Sequence, residues 1–455
     1  MRASRPAAAA RKSPAPPAQD NAEPPLTRDR VGARLWRYLN REGIAYCVVG
    51  ANGDGGDIDI VVGDLDRRGL MRIMRRFCDE TGVRLVQALQ HERSAWYLVL
   101  AWAGDDGMPC FLHPDVCGDY VRDGRTVLGA GELLAGRAEA PDGAGYPVPA
   151  PAMAFVYYLV KKIDKGELAE RHGDLLSATW RADARGARGG IARFWANADA
   201  ALIARAAEDD DWRAVRAALP RLARGLRARL PRTAADRWGE IKRRIARALR
   251  PTGLVVAVLG PDGVGKSSLI ERLDAALAPA FRRTHRLHLR PRLAVGGGGA
   301  TVTDPHGEPP RGALVSAAKL IYFVLDYWAG YALRLWPLKA RSTLVLFDRY
   351  YHDILADPLR YRYGAPLRLA ALAGNLVPKP DLTLILDAPA ETLQARKREV
   401  PAEETARQRE AYRDLAARLD NAVVIDADRP PERVAADAAR AVVDHLAARL
   451  TRRFG

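Results

Sequence analysis

Three glycines, a lysine and a serine stand at fixed spacing in Gly260-Pro261-Asp262-Gly263-Val264-Gly265-Lys266-Ser267, a full GxxxxGKS phosphate-loop pattern. Glycines let the backbone curl its N–H groups round phosphate oxygens, and a helix that starts at the lysine adds the partial positive charge of its N-terminus. Lys266 is expected to reach the β- and γ-phosphates of a nucleoside triphosphate, taken to be ATP, and Ser267 to hold Mg²⁺. Gly260, Gly263, Gly265 and Ser268 complete the expected nucleotide contacts. A glycine-rich turn that merely joins two elements is the alternative, and the paired lysine and serine speak against it.

The flanking residues must place that loop between a strand and a helix. Leu254 to Leu259 is a continuous apolar run that reads as a buried strand, and Ser268 to Leu273 has helical spacing. A second apolar strand, Leu344 to Phe347, ends in Asp348-Arg349-Tyr350. In parallel α/β sheets ligands lie at the carboxyl ends of the strands, so Asp348 is expected to meet Mg²⁺ or its water shell and Arg349 a second phosphate. A surface ion pair capping the strand is the plainer alternative.

From about residue 251 to the C-terminus the chain resembles the thymidylate kinase family of nucleoside monophosphate kinases. Asp262 looks like the family's loop carboxylate, and Asp348-Arg349-Tyr350 like its Asp-Arg-Tyr motif, whose arginine contacts the acceptor phosphate. Pro380 to Asp387 is similar to the strand before the lid, and Glu391, Arg396, Lys397 and Arg398 fall where the family places that lid. Arg409 and Tyr412 follow on a helix, and Val423 to Ala427 resembles the closing segment. Gly263 occupies the loop position where some members carry an arginine, so the resemblance implies that Arg396, Lys397 or Arg398 neutralises the transferring phosphoryl group. The acceptor side departs from the family: His288-Leu289-Arg290-Pro291-Arg292 replaces its Arg-Glu-Pro-Gly segment, Asp353 stands near its serine, and a Gly- and Pro-rich stretch runs from Gly296 to His306.

With 455 residues the chain suits two or three domains, and its formal net charge of +16 suggests affinity for anions. No basic run is interleaved with aromatics as a single-strand nucleic-acid groove requires, so no specific nucleic-acid partner is expected. Cys47, Cys78, Cys110 and Cys117 form no CxxC framework, which fits a reduced, cytoplasmic setting. Cys110, His113 and Cys117 match no common zinc spacing. Residues 1–25 read as a disordered tail. Leu320 to Leu338 is apolar enough to suggest a membrane, but Asp326 and Arg334 interrupt it. It reads instead as a core helix with Tyr322, Phe323 and Tyr327 partly lining the acceptor pocket, and membrane association is not expected.

Farther upstream, Ile44 to Val49 and Asp57 to Val62 read as strands round the glycine-rich turn Gly50 to Gly56. Alternation along a strand puts Asp57 and Asp59 on one face, as shared metal binding requires. A hairpin from Trp96 to Leu112 brings up Asp115 as a third carboxylate. Residues 30–180 resemble, more weakly, the nucleotidyltransferase superfamily, whose three acids hold two metal ions. An acidic turn without metal, or a domain kept only for structure, is the alternative.

The reading divides the chain into a tail (1–25), a smaller α+β nucleotidyltransferase-like domain (26–150), a helical connector (151–250) and a kinase domain (251–455) built on a parallel P-loop sheet flanked by helices. In the connector Trp212, Val215, Leu219, Leu222 and Leu226 form one apolar stripe. The expected activity is ATP- and Mg²⁺-dependent phosphoryl transfer to a thymidylate-like nucleoside monophosphate or a related phosphorylated acceptor, in a possible homodimer. The rivals are a nucleotide-binding regulatory or scaffold protein, and a nucleotidyltransferase acting through Asp57 and Asp59.

Overall fold

The computed structural model describes residues 25–51, 56–63, 67–141, 143–230, 233–291, 309–398 and 400–454. Almost all of the expected N-terminal tail, the middle of the Gly50 to Gly56 turn and the Gly296 to His306 stretch lie outside the described residues.

The first sheet has six strands: β1 (Tyr46–Ala51), β2 (Ile58–Val62), β3 (Arg84–Glu92), β4 (Ala95–Ala103), β5 (Pro109–Leu112) and β6 (Pro114–Cys117). Their order is β1-β2-β6-β4-β3, with β5 paired to β4. All pairs are antiparallel except β2 with β6, whose parallel register sets Asp59 beside Asp115. The expected hairpin is thus β4 and β5, and β6 carries the third acid back to β2. Two short hairpins follow, β7 (Tyr120–Arg122) with β8 (Arg125–Leu128) and β9 (Ala138–Glu139) with β10 (Pro147–Val148).

Alternation along β4 feeds two cores. Trp96, Leu98, Leu100 and Trp102 pack with helices Arg28–Arg41 and Arg67–Thr81, while Val99 and Ala101 face the C-terminal half. The helices Pro151–Lys165, Glu170–Ala182, Ala184–Ala192, Asn197–Asp209 and Arg213–Arg229 pack together and onto Cys47, Val61 and Tyr120. Trp212, Val215, Leu222 and Leu226 of the expected stripe are buried there. Pro151 opens its helix at the first position, where a missing N–H costs nothing.

The second sheet is parallel throughout, with five strands in the order β12-β13-β11-β14-β15: β11 (Leu254–Leu259), β12 (Arg283–His288), β13 (Thr343–Asp348), β14 (Leu382–Asp387) and β15 (Ala422–Asp426). Every residue of β11 is buried, as expected of a strand covered on both faces. Leu254, Val256 and Val258 meet helices Lys266–Leu277 and Pro431–Phe454. Val255, Ala257 and Leu259 meet the opposite layer, which includes Ala313–Gly330 and Ala402–Arg418. Because the strands run in one direction, their carboxyl ends share one edge, where the candidate residues collect.

The two halves share a core. Val86, Val99, Ala101 and Phe111 of the first sheet pack with the C-terminal helix, and Gln87 Nε2 donates to Thr252 O at 3.0 Å. Arg449 donates to the carbonyls of Thr252 and Gly253, both at 2.8 Å.

The helix Ala313–Gly330 runs on through a π turn (Tyr331–Leu335) to Trp336–Ala340. By length and composition it alone among the described helices is long and apolar enough to cross a membrane. One face nevertheless packs into the core through Ser316, Leu320, Phe323 and Tyr327. Tyr327 is fully buried and donates its hydroxyl to Leu289 O, so it is a core residue and not the pocket lining expected of it.

Candidate active site

The loop after β11 depends on its glycines. Gly260 has φ +147°, and a Cβ there would lie 2.8 Å from Leu386 O of the neighbouring strand. Gly263 has φ +79°, and a Cβ there would lie 3.1 Å from Lys397 Cβ. Larger residues would push β14 or the lid segment away. Helix Lys266–Leu277 then begins with Gly265 as N-cap, and Ser267 and Ser268 stand exposed in its first turn.

Lys266 is only 7% exposed, and its ammonium donates to the carbonyls of Gly260 and Pro261, each at 2.8 Å. The loop's own carbonyls thus fix the charge beneath the arch, 3.5 Å from Asp262. Asp262 in turn accepts from Arg349 and from Arg360. Arg360, on the short turn Leu359–Tyr361, carries no motif, and sequence reasoning missed it.

Arg349 leaves β13 with φ +68°, a left-handed conformation that costs a non-glycine residue energy and is found where a site constrains the chain. Its N–H donates to Val258 O at 3.1 Å, and its guanidinium turns back to Asp353 at 2.6 Å. Asp353 is fully buried and also accepts from the hydroxyls of Tyr361, at 2.6 Å, and Tyr412. Burial opposes its ionisation, but Arg349, Lys266 and the two hydroxyls more than offset that and hold its carboxyl below the usual carboxylate range. For Arg349 burial likewise opposes the charge, and Asp353 chiefly overcomes it, so the guanidinium is held charged.

Asp348 ends β13 between Val258 and His288 of the adjoining strands. Its Oδ1 is buried with no hydrogen-bond partner. Asp387, at the end of β14, is clamped by Arg409 through contacts of 2.7 and 3.1 Å.

The segment expected to form the lid is the helix Ala390–Arg396 with Lys397 as its C-cap. Its three expected cations, Arg396, Lys397 and Arg398, are all exposed: Arg396 donates to Ala427 O at 3.0 Å, and Lys397 has its Cβ next to Gly263 of the loop.

On the side expected to take the acceptor, Arg290 pairs with Asp326 at 3.1 Å and lies over the Phe323 ring at 4.7 Å. Lys319 donates to Tyr361 O at 3.1 Å, which ties it to the Asp353 network. Burial first, then Arg311, Arg290 and Arg362, lower its pKa to about 8. Sequence reasoning missed Lys319 too, although a lone lysine in an apolar helix was the available signal.

In the first sheet Asp57, Asp59 and Asp115 open on a cleft of about 290 Å³. Tyr97 Oη donates to Asp57 at 2.9 Å, and Lys161, from helix Pro151–Lys165, pairs with Asp59. Lys162, Lys165 and Arg122 also line the cleft. Burial and the neighbouring Asp59 push Asp115 up to about 7, while burial pulls His91, 3.4 Å away, down to about 4. Among the described residues no group of three or more His, Cys, Asp or Glu side chains is arranged to hold a metal ion. Cys110, Cys117, Cys47 and Cys78 are free thiols, and His113 lies 3.0 Å from Pro279 O.

No protein-family model matches the chain. Among curated proteins it is 32% identical over 210 residues to the thymidylate kinase of Xanthomonas campestris pv. campestris (strain B100), covering 44% of this chain and 88% of that one. It is 30% identical over 209 residues to the thymidylate kinase of Xanthomonas euvesicatoria pv. vesicatoria, covering 45% and 89%. With a probable thymidylate kinase of Pyrobaculum aerophilum it shares 32% identity over 200 residues, 41% of this chain and 95% of the relative.

Proposed function

The chain belongs to the thymidylate kinase family over 44% of its length, and on that premise we propose that residues 251–455 transfer the γ-phosphoryl group of ATP to a nucleoside monophosphate of the thymidylate type or a related phosphorylated acceptor. The observation that carries this reading is the convergence of Lys266, Asp262, Arg349 and Asp348 at one edge of the parallel sheet. Phosphoryl transfer needs alignment and charge neutralisation more than a general base, and this edge supplies both. The loop N–H groups and Lys266 bind the donor phosphates. Arg349, braced by Asp353, faces the acceptor phosphate with Arg360 beside it. Asp348, whose Oδ1 lacks a protein partner, and the Ser267 hydroxyl fit Mg²⁺, which when bound neutralises phosphate charge.

Lys397 is assigned the lid role, since its Cβ stands next to Gly263 of the loop whereas Arg396 is turned to Ala427. Lys397→Ala is expected to lower kcat about a hundredfold with little change in ATP affinity, because the contact forms with the transferring group. Arg396→Ala should have the smaller effect in the same steady-state assay, and the reverse ranking would reassign the role.

The arginines round Lys319 leave the acceptor side rich in cations. Lys319 is protonated below about pH 8, so an anionic acceptor binds best there and loses affinity as the pH rises through that value. The acceptor KM is expected to climb above pH 8 while the ATP KM stays level, and Lys319→Arg, which stays charged, should flatten the climb. A climb that persists in that variant would assign it to another group.

A second reading, nucleotidyl transfer at Asp57, Asp59 and Asp115, is favoured by the lysine-lined cleft into which the three acids open. The acids as placed are engaged by Lys161 and Tyr97 and do not form a metal cage, so no step through a metal is derived. Pyrophosphate release that survives Lys266→Ala and is lost in Asp57→Asn would establish it. Homodimer formation and a cytoplasmic setting complete the proposal, supported respectively by the exposed Leu325, Trp328, Leu372 and Leu376 on two packed helices and by the four free thiols.

A further inference from the structure

The helix Ala234–Leu249 is mounted inside out. Its heptad spacing places Asp236, Glu240, Arg243 and Arg247 on one face, and that polar face lies against the body. Asp236 pairs with Arg93 at 3.1 Å, Arg243 donates to Gln90 O at 3.3 Å, and Arg247 donates to Ala340 O at 2.9 Å. The opposite stripe, Trp238, Ile241, Ile245 and Leu249, is turned to solvent at 56%, 46%, 52% and 70% exposure. No residue of this helix is buried. An amphipathic helix normally turns its apolar stripe to the core. Here the sequence invests charged contacts in holding that stripe outward.

Cations border the stripe. Lys242 and Arg244 are exposed beside it, with Arg237 on the flank, and the Lys242 ammonium lies 5.5 Å from the centroid of the Trp238 ring. Trp, Ile and Leu on one face with Lys and Arg along the border is the chemistry of a helix lying in the plane of an anionic lipid surface. A second copy fits less well. Two-fold pairing would bring the bordering cations of both copies together along one seam, and four side chains fall short of the roughly 800 Å² per partner that a stable interface buries. We propose that Ala234–Leu249 docks the protein reversibly on anionic membrane surfaces, Trp238, Ile241, Ile245 and Leu249 entering the interface and Arg237, Lys242 and Arg244 meeting lipid phosphates. This surface contact is distinct from the Ala313–Ala340 helix, which alone among the described helices is long and apolar enough to span a membrane.

The test is co-sedimentation of the full chain with vesicles of phosphatidylcholine alone and of phosphatidylcholine mixed with phosphatidylglycerol. Binding is expected only to the anionic vesicles and should fall as salt rises. Ile245→Glu should weaken it about tenfold or more, since it replaces an apolar group entering the membrane interface by a repelled charge, and Lys242→Glu with Arg244→Glu should do likewise. Leu175→Glu, an exposed apolar site on another helix, should bind as the parent does. Both stripe variants stay outside the core, and unchanged circular dichroism checks their folds. Equal binding to neutral and anionic vesicles, no binding to either, or an Ile245→Glu variant that binds like the parent would overturn the proposal. Sedimentation velocity without lipid supplies the remaining arm: a lower mass for Ile245→Glu than for the parent would give the stripe to a second copy instead.

Discussion

Lys266→Ala is expected to slow phosphoryl transfer about a thousandfold while the protein stays folded. The lysine is fixed by the carbonyls of Gly260 and Pro261, so its charge is already in place beneath the loop when nucleotide arrives. Preorganisation of this kind makes a cation effective in a site where water is excluded. The side chain is nearly enclosed. Removing it therefore leaves two carbonyls without a donor, at a cost of about 1–3 kcal/mol, which is small against the loss of rate. Lys266→Arg should fare little better, because a planar guanidinium does not fit between two carbonyls spaced for an ammonium. The measurement is single-turnover transfer beside a thermal melt. A rate within tenfold of the parent would remove Lys266 from the chemistry.

Asp353→Asn is expected to cost about 3–5 kcal/mol of stability, the usual penalty for removing one partner of a buried ion pair. Asp353 is fully buried and is the main group that keeps Arg349 charged. Because its pKa is lower in the folded than in the unfolded chain, its contribution is fully present above the unfolded value of about 4 and fades as the pH falls through the folded one. The difference between parent and variant in urea unfolding should therefore be large at neutral pH and shrink in acid. Tyr412→Phe, which removes one hydroxyl from the same carboxylate, should cost about 1–2 kcal/mol. A variant at Asp353 as stable as the parent would mean that Arg349 relies on Asp262 instead.

The parallel sheet was legible because buried parallel strands are continuous apolar runs, and Leu254 to Leu259 and Leu344 to Phe347 are such runs. The glycine loop was legible because its conformation needs glycine at positions that sequence displays directly. Arg360 was not, since it reaches Asp262 from 98 positions away and sits in a turn without pattern. Tyr327 shows the limit of composition: an aromatic on an apolar helix gives no sign of which side of that helix is core. The stripe from Trp212 to Leu226 likewise announced a packed face but not its neighbour. In the first sheet the two-residue alternation of Asp57 and Asp59 predicted a shared face. Lys161, which pairs with Asp59, comes from a helix about a hundred positions on and carries no motif. The polar mounting of Ala234–Leu249 was invisible too, because a hydrophobic stripe in sequence reads the same whether it points inward or outward.

ADP formation by the purified full chain, with ATP, Mg²⁺ and each of a panel of nucleoside monophosphates and sugar phosphates, tests the central claim most directly. ADP release is expected to require a phosphorylated acceptor, to be greatest with a thymidylate-like nucleotide or one related compound, and to be abolished by Lys266→Ala. ADP release at the same rate with and without every acceptor, or none with any, would contradict it.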